Sequence, residues 1–267
     1  MTPRVPLQSL RHFLLDMDGT VYLGEHAIPG AQVFIRYLRE SGRRFLFLTN
    51  NSSTDAAHYH AKLLQLGFEA RLEDIWTAGQ ATAHYLAAET ACRRIFAVGT
   101  PFFEEELRLA GLEVVQDAPD AVVLGFDKTL TYEKLVGACH WLRQGLPYWA
   151  TNPDRVCPTE TDPVPDCGAI AALLEAATGR APEYIGKPNR GMALAALSKL
   201  GAEPGETAMV GDRLYTDMAM AVAANLTGIL VFSGETTPEM LADCPSKPDY
   251  AFDSVATLCE ALRASLQ

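Results

Sequence analysis

Asp16 and Asp18 stand two apart directly after the apolar run Phe13-Leu14-Leu15, and Gly19-Thr20 follows them. Three later segments have the same form: Thr49-Asn50-Asn51 follows Phe45–Leu48, Gly186-Lys187-Pro188 follows Tyr184-Ile185, and Gly211-Asp212-Arg213, with Asp217 beyond it, follows Ala208–Val210. Asp16, Asp18 and Asp212 brought into one small volume would repel, at roughly 4 kcal/mol for two unit charges about 4 Å apart in an effective dielectric near 20. Such a cluster needs protons or a cation, and an all-oxygen ligand set suits Mg2+. With a phosphate ester beside it, Asp16 would attack phosphorus as a carboxylate nucleophile. Asp18 would protonate the leaving oxygen and then activate the hydrolytic water. Thr49 and the amides of Asn50 and Asn51 would hold the phosphoryl oxygens, and Lys187 would balance their charge. Asp212 would hold the metal, and Asp217 would orient metal-bound water or Lys187.

For these residues to meet, each preceding run must be a strand, and the strands must lie parallel in one sheet. Runs apolar on both faces read as strands of a parallel α/β sheet, which builds its sites at the carboxyl ends of the strands. Helical periodicity alternates with the runs. The pattern predicts a helix over 30–41 with Val33, Phe34, Tyr37 and Leu38 on one face, a strand over 44–48, and a helix over 54–66 capped by Ser52, Ser53 or Thr54 and ended by Gly67. Strands follow over 95–98, 121–124 and 148–151 with helices over 101–110 and 132–144, a block that carries no comparable acidic motif. Residues 151–168, rich in proline, read as a loop. Beyond it come a helix over 169–178, a strand over 183–185 leading to Lys187, a helix over 190–200, strands over 207–210 and 229–232, and helices over 216–224 and 254–265.

The chain has 267 residues, 48% of them hydrophobic, enough for one large domain or two ordinary ones. A formal net charge of −11 argues against nucleic acid or an anionic membrane as partner, and makes a metal and a lysine necessary for handling an anionic substrate. The six cysteines show no C-x-x-C pair and read as reduced thiols of a cytoplasmic protein. Residues 1–6 have no apolar signal core, and the most apolar stretch, 218–232, is broken by Asn225, Thr227 and Gly228.

Taken as an ordered set, Asp16-Met17-Asp18-Gly19-Thr20, Thr49-Asn50-Asn51-Ser52, Gly186-Lys187-Pro188 and Gly211-Asp212-Arg213 with Asp217 resembles the haloacid dehalogenase (HAD) superfamily, over about residues 13–252. The long segment between the second and third motifs resembles its NagD-like, p-nitrophenyl phosphatase branch. The resemblance implies a Rossmann-like three-layer α/β core with a parallel sheet and an inserted α/β cap that closes over the site. The expected spans are 1–76 and 181–267 for the core and 77–180 for the cap. It also implies Mg2+-dependent hydrolysis of small phosphomonoesters, such as nucleotide or sugar phosphates, through an aspartyl-phosphate on Asp16, with Asp18 as acid and base. Metal contacts would come from Asp16, the main-chain carbonyl of Asp18 and Asp212, and phosphate contacts from Thr49, Asn50, Asn51 and Lys187. Asn152, Asp154, Cys157 and Pro158 lie in a segment resembling the cap loop that meets the leaving group, although some relatives carry histidine where this chain has Cys157. A phosphomutase or phosphotransferase would use the same nucleophile, and a catalytically silent regulator could share the fold. The expected partner is a small phosphorylated metabolite, and the resemblance is compatible with a homodimer.

Overall fold

A strand that is apolar on both faces is buried only when layers cover both sides of its sheet. The computed structural model describes residues 5–157, 162–241 and 244–264. It divides into two compact units: Met1–Leu48, Ala57–Trp76 and Lys187–Gln267 form the first, and Thr49–Ala56 with Thr77–Gly186 the second.

The chain begins with β1 (His12–Asp16), a hairpin of β2 (Tyr22–Leu23) and β3 (His26–Ala27), α1 (Ala31–Glu40), β4 (Arg44–Thr49), α2 (Ala56–Gln65) and β5 (Ile75–Thr77). Next come α3 (Ala78–Glu89), β6 (Arg94–Val98), α4 (Pro101–Leu109), β7 (Glu113–Val114), β8 (Ala121–Leu124), α5 (Tyr132–Arg143) and β9 (Tyr148–Ala150). They are followed by a second hairpin, β10 (Val156–Cys157) and β11 (Val164–Pro165), then α6 (Cys167–Thr178) and β12 (Glu183–Tyr184). The chain closes with α7 (Arg190–Leu200), β13 (Thr207–Gly211), a π-helical turn (Leu214–Met218), α8 (Ala219–Ala223), β14 (Thr227–Val231), β15 (Tyr250–Phe252) and α9 (Val255–Ala264).

The first sheet has the order β15-β14-β13-β1-β4-β5. Its centre is parallel, with Leu15 opposite both Val210 of β13 and Phe47 of β4. The winding reverses at β1, whose neighbours come from opposite ends of the chain. In open α/β sheets this switch point is where ligands bind, outside the carboxyl ends of the strands. Asp16 is the last residue of that strand.

The second sheet, β12-β9-β8-β6-β7, is parallel throughout. Period-two alternation sorts its side chains. Phe96, Val98, Val122 and Leu124 pack into one cluster with Ala138 and Leu142 of α5 and Ile170 and Leu174 of α6. Ile95, Ala97, Ala121 and Val123 pack on the other face with Leu86 of α3 and Phe103 and Leu107 of α4.

Several elements differ from the sequence reading. Residues 183–185, expected to deliver Lys187 from the same sheet as Asp16, instead give β12, which pairs with β9 at the edge of the second sheet. The amides of Ile185 and Gly186 continue that pairing to the carbonyls of Ala150 and Thr151, and Lys187 is the first residue of the chain's return to the first unit. Val33 is 46% exposed, and the buried face of α1 is Ala31, Phe34, Ile35, Tyr37 and Leu38. The side chains of Ser52 and Ser53, proposed caps, bond elsewhere: Ser52 to Thr151 and to the amide of Phe126, Ser53 to Asn51. The proline-rich segment contains the β10–β11 hairpin. No helix among the described residues is long and apolar enough to cross a membrane. None of the six cysteines is in a disulfide.

Candidate active site

The chain turns sharply beyond Asp16, the carbonyl of Met17 accepting the amides of Thr20, Val21 and Tyr22. Gly19 makes the turn with φ +86°. A Cβ there would lie 2.4 Å from Oδ2 of Asp212, so glycine is required both by the backbone and by the buried carboxylate beside it. β13 brings Asp212 to the same edge, and two more glycines make room: a Cβ on Gly234 would sit 2.0 Å from Asp212 Oδ2, and one on Gly211 2.3 Å from Cγ of Asp217. The π-helical turn then carries Asp217 back under the strand end, where Oδ2 accepts the amide of Arg213 at 3.1 Å.

Lys187 ties the carboxylates together. Its Nζ donates to Oδ1 of Asp217 at 2.8 Å and to Oδ1 of Asp16. One carboxylate oxygen from each of Asp16, Asp212 and Asp217 lies within 4.8 Å of the others. Asp217 is fully buried, and its oxygens accept hydrogen bonds from Lys187 and from the Arg213 amide. Asp212 is different: Oδ2 accepts the amide of Glu235 at 2.7 Å, whereas Oδ1 is buried without a hydrogen-bond partner. Buried polar oxygens are nearly always satisfied, and an orphan in a carboxylate cluster marks where a cation fits. The donor set suits a hard divalent ion such as Mg2+.

The electrostatics follow the packing. Burial raises the pKa of Asp212, and Asp16 and Asp217 raise it further. Burial also raises Asp217, with Lys187 working against that shift and Asp16 adding to it. Burial alone would lower Lys187, but Asp16 and Asp217 outweigh it and hold the ammonium above its ordinary value, so it stays charged. Asp18 is exposed, yet the protein around its carboxyl and then the Asp16 charge push its pKa up. A carboxyl that keeps its proton longer than usual is suited to general-acid work.

Thr49 is the last residue of β4, directly after Leu48, the register partner of Asp16. Its Oγ1 accepts the amide of Asn51 at 3.1 Å, so this amide, assigned to a phosphoryl oxygen by the sequence, is engaged within its own loop. Asn50 and Asn51 belong to the second unit, as do Asn152, Asp154 and Cys157. Asn152 is fully buried, donates Nδ2 to the carbonyl of Asn50 at 2.8 Å and accepts the amide of Asp154 at 2.9 Å. Asn50 Nδ2 in turn donates to Oδ2 of Asp154 at 2.9 Å. These cap-loop residues bind one another and the asparagine loop. Cys157 lies in β10 and packs against the core of the second unit, and Pro158 lies outside the described residues.

The loop 233–236 went unassigned in the sequence. It supplies the Glu235 amide to Asp212, the Thr236 amide to the Asp212 carbonyl at 3.3 Å, and the Ser233 hydroxyl to the carbonyl of Gly19 at 2.8 Å. The signal was present: Ser233-Gly234 follows an apolar run, as the four recognised segments do.

Comparison with known proteins places this geometry in context. Residues 13–113 match the family described as haloacid dehalogenase-like hydrolase, and residues 184–258 match a second model of the same hydrolase type. The chain is 33% identical to the 5'-nucleotidase YutF of Bacillus subtilis, over 93% of this chain and 97% of that protein. It is 35% identical to the dihydroxyacetone phosphatase of Corynebacterium glutamicum, over 93% and 90%. Among solved structures, the 4-nitrophenylphosphatase of Thermotoga maritima superimposes with a TM-score of 0.90 at 45% identity, covering 96% of this chain and 98% of that one.

Proposed function

The chain belongs to the haloacid dehalogenase-like hydrolase family, and from that premise we propose that it is a phosphatase that hydrolyses small-molecule phosphomonoesters through an aspartyl-phosphate on Asp16. The observation that carries this reading is the Lys187 ammonium joined to Asp16 and Asp217 beside an Asp212 oxygen with no partner.

In the first half-reaction an Asp16 oxygen forms a bond to phosphorus while the bond from phosphorus to the ester oxygen breaks. Asp18, its pKa raised, delivers its proton to the departing oxygen. In the second, Asp18 takes a proton from water as the water oxygen attacks phosphorus, which releases inorganic phosphate and restores the Asp16 carboxylate. Lys187 holds Asp16 in place and offsets phosphoryl charge, and Asp217 fixes the lysine. Thr49 and Asn50 keep the assignment of holding phosphoryl oxygens, whereas the Asn51 amide is held by Thr49 Oγ1. Asp16, Asp212 and the main-chain carbonyl of Asp18 would hold Mg2+, which supplies charge neutralisation for the phosphoryl group. Residues 77–180 act as the cap, and their loop 152–158 selects the leaving group. The names of the relatives support nucleotide and small sugar-like phosphates as the substrate class. Six cysteines without a disulfide support a reducing, cytoplasmic setting.

The test is release of inorganic phosphate from 4-nitrophenyl phosphate with and without added Mg2+, then from a panel of nucleoside monophosphates, triose phosphates and sugar phosphates. Mg2+-dependent release to water is expected. Transfer of the phosphoryl group to a second metabolite without free phosphate would make the enzyme a phosphotransferase instead.

A further inference from the structure

At the amino ends of β1 and β4, the edge of the first sheet opposite Asp16, lies a cavity of about 460 Å3. Its volume is in the range of small-molecule sites. Arg39, Arg43, Arg44, Arg71 and Lys199 line it against only two carboxylates, Glu73 and Asp74. In a chain of net charge −11 this is a local reversal of sign.

The two acids are already committed. Asp74 pairs with Arg39 at 2.5 Å, and Glu73 pairs with Arg71 at 3.3 Å. Arg43, Arg44 and Lys199 form no salt bridge among the described residues, although Glu73 and Asp74 act on the Lys199 ammonium from further away. Arg43 is 9% exposed, and its guanidinium donates only to neutral acceptors, the Leu10 carbonyl at 3.2 Å and the Tyr37 hydroxyl at 3.4 Å. Arg44 donates to the Leu200 carbonyl. The Lys199 ammonium lies 4.6 Å from the centre of the Trp76 ring. Burying a cation without a counter-charge is costly, and arginine forks match phosphoryl oxygens in geometry as well as sign.

We infer that this cavity is a second anion site, separate from the Asp16 cluster, which takes a small ligand carrying two or three phosphoryl charges. The lining's excess of cations over carboxylates sets the charge, and the volume limits the ligand to the size of a small metabolite. The site does not depend on the phosphatase reading, since none of its residues belongs to the carboxylate cluster. α7, which ends at Leu200 in the cavity lining, begins three residues after Lys187.

Trp76 is the natural reporter. In a Trp141→Phe/Trp149→Phe background it is the one remaining tryptophan. Imidodiphosphate, which resists hydrolysis, is titrated while Trp76 emission is followed. A saturable change is expected, about tenfold or more weaker in affinity in Arg44→Gln/Lys199→Gln and retained in Lys187→Ala. Lys199 is exposed, so Lys199→Gln alone keeps the test open if the double variant folds poorly, with a partial loss expected. Absence of a saturable response overturns the site. So does an equal response in wild type and both cavity variants, or loss of the response in Lys187→Ala alone, which would put the anion beside Asp16.

Discussion

The first and second sheets are wound alike: β1 and β6 each lie between strands reached by opposite crossovers, and both sheets present polar residues at their carboxyl ends. What differs is whether those residues are spent. In the second sheet, Thr100 donates to the Ser53 carbonyl at 3.1 Å and caps α4, Thr151 bonds Ser52, and Asp127 is neutralised by Lys134 at 2.7 Å and by Thr129. In the first, Asp212 keeps a buried oxygen with no partner, and three carboxylates crowd one lysine. An α/β edge supplies a place for chemistry, and a surplus of unmet charge there makes it a reactive centre.

The contrast breaks most sharply at Asp16. Asp16→Asn should lower phosphatase turnover by roughly 10^4-fold or more while leaving the circular dichroism spectrum unchanged. Near-normal Mg2+-dependent turnover in that variant would remove the nucleophile and with it the distinction between the two edges. Gly19→Ala comes next. The added Cβ meets Asp212 at 2.4 Å from a backbone at φ +86°, so the carboxylate must move. A displacement of this size beside the reacting atoms should cost about 10^2-fold in kcat. An alanine on Gly179, also at positive φ but with nothing within 4 Å, is the control and should leave kcat unchanged.

The second unit is expected to respond more weakly. Asp154 holds Asn50 through its side chain. Asp154→Ala should lower kcat/KM by about tenfold, and adding Asn50→Ala should cost less than the sum of the two single changes. Full additivity in this double-mutant cycle would mean that the bond between them has no part in placing the asparagine loop.

Legibility in the sequence divides along the same line. That Asp16, Lys187 and Asp212 come together was readable because each stands directly after a short apolar run or one glycine beyond it, and parallel sheets gather such positions at one edge. The origin of the strand before Lys187 was not readable: β12 has two residues and lies at an edge, so nothing in its composition ties it to one sheet or the other. The bond from Asn50 to Asp154 spans 104 positions, and the pairing of two polar side chains at that separation leaves no periodic trace. Val33 shows the resolution of helical patterning, since residues one position apart on α1 differ from buried to half-exposed.

Glu106 had no sequence signal at all. It stands in the run Glu104-Glu105-Glu106 on α4, which reads as a solvated acidic face. Yet it is 6% exposed, accepts the Thr77 hydroxyl at 2.8 Å, and has its other oxygen buried without a partner, where a Cβ on Gly79 would come within 1.9 Å. Burial pushes its pKa from 4.5 to about 8, the Thr77 bond opposing and Asp55 adding to the shift. No cation is among the groups that act on it, so its burial favours the neutral carboxyl. A carboxyl raised on folding binds its proton more tightly in the native state, so its contribution to stability is complete below about pH 4.5 and is lost as pH rises through about 8. Across that window the wild type should lose up to about 1.4 kcal/mol per pH unit relative to Glu106→Gln, whose amide cannot ionise. Urea unfolding of both proteins at a series of pH values measures the difference. Parallel profiles would show that Glu106 ionises in the folded protein with little penalty, and the second unit would then also carry a buried charge.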